Sequence, residues 1–228
     1  MNTQRAIWII ALAALGWSAC ESDDVLIDPG FDYFPVERGR YVDYEVDSIY
    51  HDVPSGIQDT FHFYVRELID TTYFDAESRP TNRIERYYKE ELADDWTIRD
   101  VWVANRTNST GEKVEENVRF VKMVFPVEPD VMWDGNAQNT MDTWDYSYDD
   151  LFNPKTIGDT TYASTVTIIQ RDVENLIQSE QAREIYAQGV GMVYKELDTL
   201  KFTLENGISE LETGVELQMT AIATGVLE

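Results

Sequence analysis

The chain has 228 residues, of which 18 are Lys or Arg and 43 are Asp or Glu, giving a formal net charge of −25 at pH 7. A surface that acidic repels phosphate backbones and excludes nucleic acid as the main partner. A hydrophobic share of 43% excludes a disordered chain, and a single cysteine excludes an internal disulfide.

Residues 1–19 read as a processing signal, apart from the fold. Arg5 and the amino terminus supply positive charge, and Ala6 to Leu15 is an uninterrupted apolar run. Such a run is far short of the ~20 residues a spanning helix needs. No acidic residue precedes Glu21, and Ser18 and Ala19 lead to the sole cysteine, Cys20. The pattern resembles a bacterial lipoprotein signal, which is cut before the cysteine. The resemblance implies acylation of Cys20, and two or three acyl chains anchor stably at about 0.8 kcal/mol per buried CH₂. The alternatives are ordinary cleavage after Ala19, or a buried structural cysteine. Glu21, Ser22, Asp23 and Asp24 open an acidic tether over 20–31. They are similar to the surface-export signal of Bacteroidota lipoproteins, and also suit a plain solvated linker.

From residue 32 onward the dominant signal is period-two alternation, which predicts strands. Val42, Tyr44, Val46 and Tyr50 oppose Asp43, Glu45 and Asp47. Phe61, Phe63, Val65 and Ile69 share one face of the next run. Further strands are expected over 83–92, 96–105 and 114–127. The stretch 118–127 is apolar on both faces, as in a strand covered on both sides, and Pro126 is placed at its end. The stretch 129–158 shows no clean alternation and is expected to form a long ordered loop. Tyr162, Val166 and Ile168 mark a strand over 160–170. Over 173–187, Leu176, Ile177, Ala182, Ile185 and Tyr186 are partly in helical register, which leaves one or two helical turns competing with a strand. Strands follow over 185–196 and 199–205. The last is the clearest, with Val215, Leu217, Met219, Ala221 and Ala223 against Glu216, Gln218, Thr220 and Thr224. Asn108 to Gly111, Asp134-Gly135, Asn153-Pro154, Gly158-Asp159 and Asn206-Gly207 punctuate these runs as turns.

About nine to eleven strands with short connections predict a mainly β protein. The expected fold is a single-domain curved antiparallel sheet over 32–228, a half-barrel or barrel-like form with at most one short helix. Closure or strong curvature protects sheet edges. A two-sheet β-sandwich is the alternative.

Two segments carry a resemblance. Tyr33-Phe34-Pro35-Val36, Gly39, Tyr41 and Tyr44 form one. Phe125-Pro126-Val127, Trp133 to Ala137 and Asn139-Thr140 form the other, and Tyr186 to Val193 adds to them. Together they resemble small Bacteroidota lipoproteins of unknown function. The resemblance implies a cell-envelope address and a β-rich fold, with no catalytic residues to carry over. Gly189 and Gly191 are read as lying on one face of a strand, where they permit a bend or the close approach of another element.

The residues offer little catalytic chemistry. His51 and His62 are read as surface or rim histidines, because neither has the company of ligands that zinc requires. No nucleophile motif of the hydrolases and no phosphate-cradling loop occurs. No cofactor is expected. Adjacent acidic pairs such as Glu90-Glu91, Asp94-Asp95, Glu115-Glu116 and Asp149-Asp150 are read as solvated faces. Asp130, Asp134, Asn136, Asn139 and Asp142 form a weak calcium candidate loop without the EF-hand spacing. Trp133, Trp144, Tyr146 and Tyr148 form a candidate ligand platform, in which exposed rings stack on sugars or line an apolar pocket. Asp-Ser/Thr pairs followed by Thr or an aliphatic residue mark Ser48, Thr71, Thr160 and Thr199 as candidate O-glycosylation sites. Composition gives roughly one such triplet by chance.

These readings converge on an exported protein held on the outer membrane by its N-terminal lipid. The cell surface is the expected face and the periplasmic face is the alternative. The leading expectation is a non-enzymatic binding or interaction module for an apolar or glycan-like ligand. A carboxylate-dependent glycan-active enzyme and a structural partner of another envelope protein are the rival readings.

Overall fold

The computed structural model describes residues 28–227. The leader, Cys20 and the acidic run Glu21 to Asp24 lie outside the described residues. Twelve strands form one antiparallel sheet: β1 (Arg40–Asp52), β2 (Ile57–Phe74), β3 (Pro80–Lys89), β4 (Thr97–Arg106), β5 (Thr110–Glu115), β6 (Val118–Val124), β7 (Met132–Asp134), β8 (Asp145–Ile157), β9 (Thr160–Glu174), β10 (Gln178–Ala187), β11 (Gly191–Glu205) and β12 (Ile208–Val226).

Each strand pairs with its sequence neighbour, except β6 with β7. The first and last strands pair along their whole shared length, from Arg40 opposite Val226 to Asp52 opposite Thr213. The meander therefore curls into a nearly closed barrel whose seam is β6/β7. Side chains and loop backbone bridge that seam. Val121 N–H donates to the Gly135 carbonyl at 2.9 Å. Trp133 Nε1 donates to the Val121 carbonyl at 2.8 Å, and Asn139 Nδ2 to the Arg119 carbonyl at 2.8 Å. The two edges are thus satisfied locally and not left as templates for another chain.

Alternation places Val42, Tyr44, Val46 and Val65 in one core cluster with Val193, Met219 and Ala221. A second cluster holds Ile84, Ala104, Met123, Tyr146, Tyr148, Val166, Ile168 and Tyr186. The N-terminal segment plugs the end of the barrel where β1 begins. Its 3-10 turn, Phe31–Tyr33, brings Tyr33 and Phe34 into the core. Arg106 Nη1 donates to the carbonyls of Phe31 and Phe34 at 3.1 and 2.9 Å, and Gly189 N–H donates to the Asp32 carbonyl at 2.8 Å. The packed body thus takes in the last residues assigned to the tether. Gly30, at φ +80°, lies so close to Val127 that a Cβ would sit 2.8 Å from its Cγ2.

Four expectations are corrected. The run 114–127 is two strands, β5 and β6, because Glu116 and Asn117 adopt φ of 48° and 65° and make a two-residue hairpin turn. The partly helical stretch 173–187 is the end of β9, a turn and β10, since both neighbouring strands offer a hydrogen-bonding ladder. Gly189 lies in the turn between β10 and β11 and Gly191 opens β11, with φ of 74° and 101°. The expected loop 129–158 contains β7 and β8. Three register shifts against β9 and a left-handed Phe152 break the alternation of β8 and hide it from a pattern reading. Pro154 is tolerated because β7 pairs only with residues 145–147, which leaves that flank of β8 free.

At the seam, a Cβ on Gly135 would lie 2.3–2.5 Å from ring atoms of Tyr146. Gly135→Ala is expected to cost about 1–3 kcal/mol through overpacking. For a chain of this size that lowers the thermal midpoint by about 2–12 °C, read by circular dichroism. An unchanged midpoint would contradict this packing.

Candidate functional site

The barrel interior is not simply apolar. Lys122 of β6 is almost fully buried and sits 2.9 Å from Glu184 of β10 and 3.0 Å from Glu115 of β5. Lys195 of β11 lies 3.6 Å from each of the same two carboxylates. Tyr186 completes the group by donating to Glu184 Oε2 at 2.6 Å. Two positive and two negative charges thus span the hollow between opposite walls. A neighbouring group pairs Glu67 with Lys113 at 2.6 Å and with Arg86 at 3.2 Å. Arg86 also stacks on Trp102, 3.7 Å from the ring centroid.

Charge compensation sets the protonation states. Burial alone pushes Glu115 and Glu184 up, but the lysines outweigh it and hold both carboxyls below their ordinary range. Burial pushes Lys122 down, and Glu115 with Glu184 more than reverses this. Glu67 is held low by Lys113 and Arg86 against its burial. Burial pushes Tyr146 up to about 12, and raises Tyr186 well above its ordinary value with help from Glu184. A glycosidase pair needs one carboxyl protonated and one ionised. Glu115 and Glu184 are both held ionised, and Glu184 has no exposed surface. The cluster is therefore chemically suited to bracing the walls and not to acid–base turnover.

Between this polar interior and the plug lies a cavity of about 80 Å³. Phe34 and Pro35 of the plug roof it, and Val42, Tyr44, Ile69, Ile84, Ala104 and Met192 wall it. Glu67, Lys113 and Arg40 are its charged lining. Glu67 and Lys113 satisfy each other, and Arg40 is held by Glu37 at 2.6 Å and by the Gly189 carbonyl at 2.6 Å. The remaining surface is apolar and suits a small apolar group.

The expected platform is not an exposed surface. Tyr146 and Tyr148 are 3% and 7% exposed, and Trp133 packs on both rings at 6.0 and 4.8 Å. Trp144 packs against the same core cluster. Trp133 Nε1 and Tyr148 Oη donate to the carbonyls of Val121 and Val124 and so close the seam, while half-buried Trp144 carries the Arg171 guanidinium 5.1 Å over its ring. The calcium candidate loop spends its polar groups on itself. Asp134 Oδ1 accepts from Asn136 N–H and Trp144 N–H, and Asn136 Nδ2 donates to the Asp142 carbonyl. Asp130 carries a left-handed φ of 63° in the same connection. Among the described residues no group of three or more His, Cys, Asp or Glu side chains converges as a metal site. His51 is buried, not a rim residue, and meets Glu216 at 2.6 Å; His62 is exposed and raised above its ordinary pKa by its hydrogen bond to Asp47. Of the O-glycosylation candidates, Thr160 follows an exposed turn, whereas Ser48, Thr71 and Thr199 are half-buried within strands.

The bracing residues escaped pattern reading. Glu115 stands in an adjacent acidic pair, the pattern of a solvated face, yet it faces inward. The one visible signal is Lys122, a lone charge inside the apolar run 118–127.

The depressed carboxyls contribute stability that is complete above about pH 4.3, their unfolded value, and is lost as pH falls through their lower folded values. Lys122, raised in the fold, contributes below about pH 10.4 and loses its share as pH rises through its folded value. Glu184→Gln is expected to cost about 3–5 kcal/mol at pH 7 by breaking a buried pair. In denaturant titrations the gap from the parent should shrink below about pH 4, and a gap unchanged to pH 2 would contradict the assignment.

No protein-family model matches this chain, and no curated protein matches it. Two solved structures are similar in fold. One is described as a "putative lipoprotein" from Parabacteroides distasonis, 12% identical, covering 85% of this chain and 98% of its own, with a TM-score of 0.40. The other is described as a "putative exported protein with YmcC-like fold" from Bacteroides fragilis, 13% identical, covering 81% of this chain and 96% of its own, also with a TM-score of 0.40.

Proposed function

We propose that this is an exported, lipid-anchored envelope protein whose barrel binds a small apolar ligand beneath its N-terminal plug. Export and anchoring rest on the leader, with its early positive charge, apolar run and terminal Cys20. Binding rests on one observation: a half-open, largely apolar pocket of about 80 Å³ remains between the plug and the barrel wall. A space of that size holds several waters or one short apolar group. An apolar lining favours the second.

The anchor is tested by Cys20→Ser. The parent is expected in the outer-membrane fraction and the variant in the soluble fraction. Unchanged partition would refute acylation. The cavity is tested with indole as a probe and Ala104→Leu as a plug, since Ala104 is a buried part of the wall. Saturating indole is expected to raise the thermal midpoint of the parent by a few degrees, about 2–3 kcal/mol at 100 times Kd. The Ala104→Leu variant should show no shift. Equal shifts in both proteins would place the probe elsewhere.

A further inference from the structure

At the mouth opposite the plug, a second pocket of about 360 Å³ opens on the inner side of β2, β3 and β4 and faces the β5–β6 turn. Its size falls within the roughly 300–1,000 Å³ range of small-molecule sites. Two aromatic rings form one wall: Phe63 and Tyr88 lie 5.3 Å apart, tilted by 40°. The pairing of β3 with β4 skips one residue there. Arg86 faces Asp100 and Tyr87 faces Ile98, so Arg99 is the extra residue of a bulge. Bulges re-aim side chains. Here the bulge turns the Arg99 guanidinium over the Tyr88 ring, 5.1 Å from its centroid.

The ion pairing in this pocket leaves one charged group over. Arg99 is exposed and has no ion-pair partner among the described residues. Arg86 is taken up by its neighbours: its Nε lies 3.2 Å from Glu67 Oε1 and its Nη1 3.4 Å from Asp100. The two carboxylates of the lining each take one bond from a neighbour, Asp100 from Arg86 Nη1 at 3.4 Å and Glu116 from Trp102 Nε1 at 3.2 Å, and neither reaches Arg99. What remains is a free planar donor beside an aromatic face, on a protein of net charge −25. Arginine forks match carboxylates bidentately, and ring faces stack on aromatic side chains.

We propose that this pocket binds a ring-bearing carboxylate of the uronic acid class. The ring lies against Tyr88 and Phe63, and the carboxylate meets Arg99. A neutral hexose lacks the charge that Arg99 selects, and acetate lacks the ring. The site is separate from the cavity under the plug, and its ligand enters from the open mouth.

The test is calorimetric titration of the purified mature protein with glucuronate, glucose and acetate in parallel. Glucuronate is expected to bind about tenfold tighter than either of the others, and to weaken as salt rises. Arg99→Ala should weaken glucuronate by about tenfold and leave the thermal midpoint unchanged, because the side chain is exposed. Tyr88→Leu should weaken glucuronate and glucose alike, which separates stacking from charge recognition. The proposal is overturned if glucuronate does not bind, if glucose binds as tightly, or if Arg99→Ala leaves the affinity intact.

Discussion

Lys122 reaches from an edge strand across the hollow of the barrel to Glu184 on the far wall, with Glu115 and Lys195 completing a neutral square of charges. Desolvating four charges is costly, and an apolar filling of equal shape often does as well or better for net stability. What the square supplies is geometry. Each charge is satisfied only when β5, β6, β10 and β11 hold their registers and the sheet curls far enough to bring its walls together. A slipped register or a flattened sheet strands ions in a medium that cannot solvate them. The penalty falls on the alternatives, and curvature is specified from the inside.

The rest of the molecule follows from that curvature. The β1/β12 pairing closes one side of the ring by backbone ladder. The seam opposite is closed by Trp133, Asn139 and Tyr148, whose polar atoms meet the backbone of β6. The brace occupies the middle of the hollow, so each end is left with its own chemistry. The plug end is roofed by Phe34 and Pro35 and keeps a largely apolar pocket. The open end carries uncommitted arginine and exposed ring edges. The apolar cavity therefore lies at the end of the barrel that the N-terminal plug covers.

Alternation made most strands legible, because half-buried strands in a curled sheet keep one face in and one face out. The clearest cases, β1 and β12, are the pair that closes the ladder. Where pattern reading failed, a local irregularity was the cause. Glu116-Asn117 makes a hairpin turn without glycine or proline, so β5 and β6 read as one run. Bulges and a left-handed Phe152 scramble β8, so it read as a loop. The aromatic cluster at 133–148 was visible by composition, but composition does not say which way a ring points. The brace was nearly invisible. Glu115, Glu184 and Lys195 look like any other charges in an acidic chain, and only the fold brings them to one place. Arg99 was hidden for the same reason, since its orientation depends on a bulge that exists only when β3 and β4 are paired.

The central claim is that an internal ionic brace holds the curled sheet shut at its seam. Hydrogen exchange read by mass spectrometry on Lys122→Met tests it most directly. The account predicts that amides of β6 and β7 lose protection while those of β1 and β12 keep theirs, because the ladder on that side does not depend on the brace. Uniform loss across all twelve strands, or no loss at the seam, would contradict it.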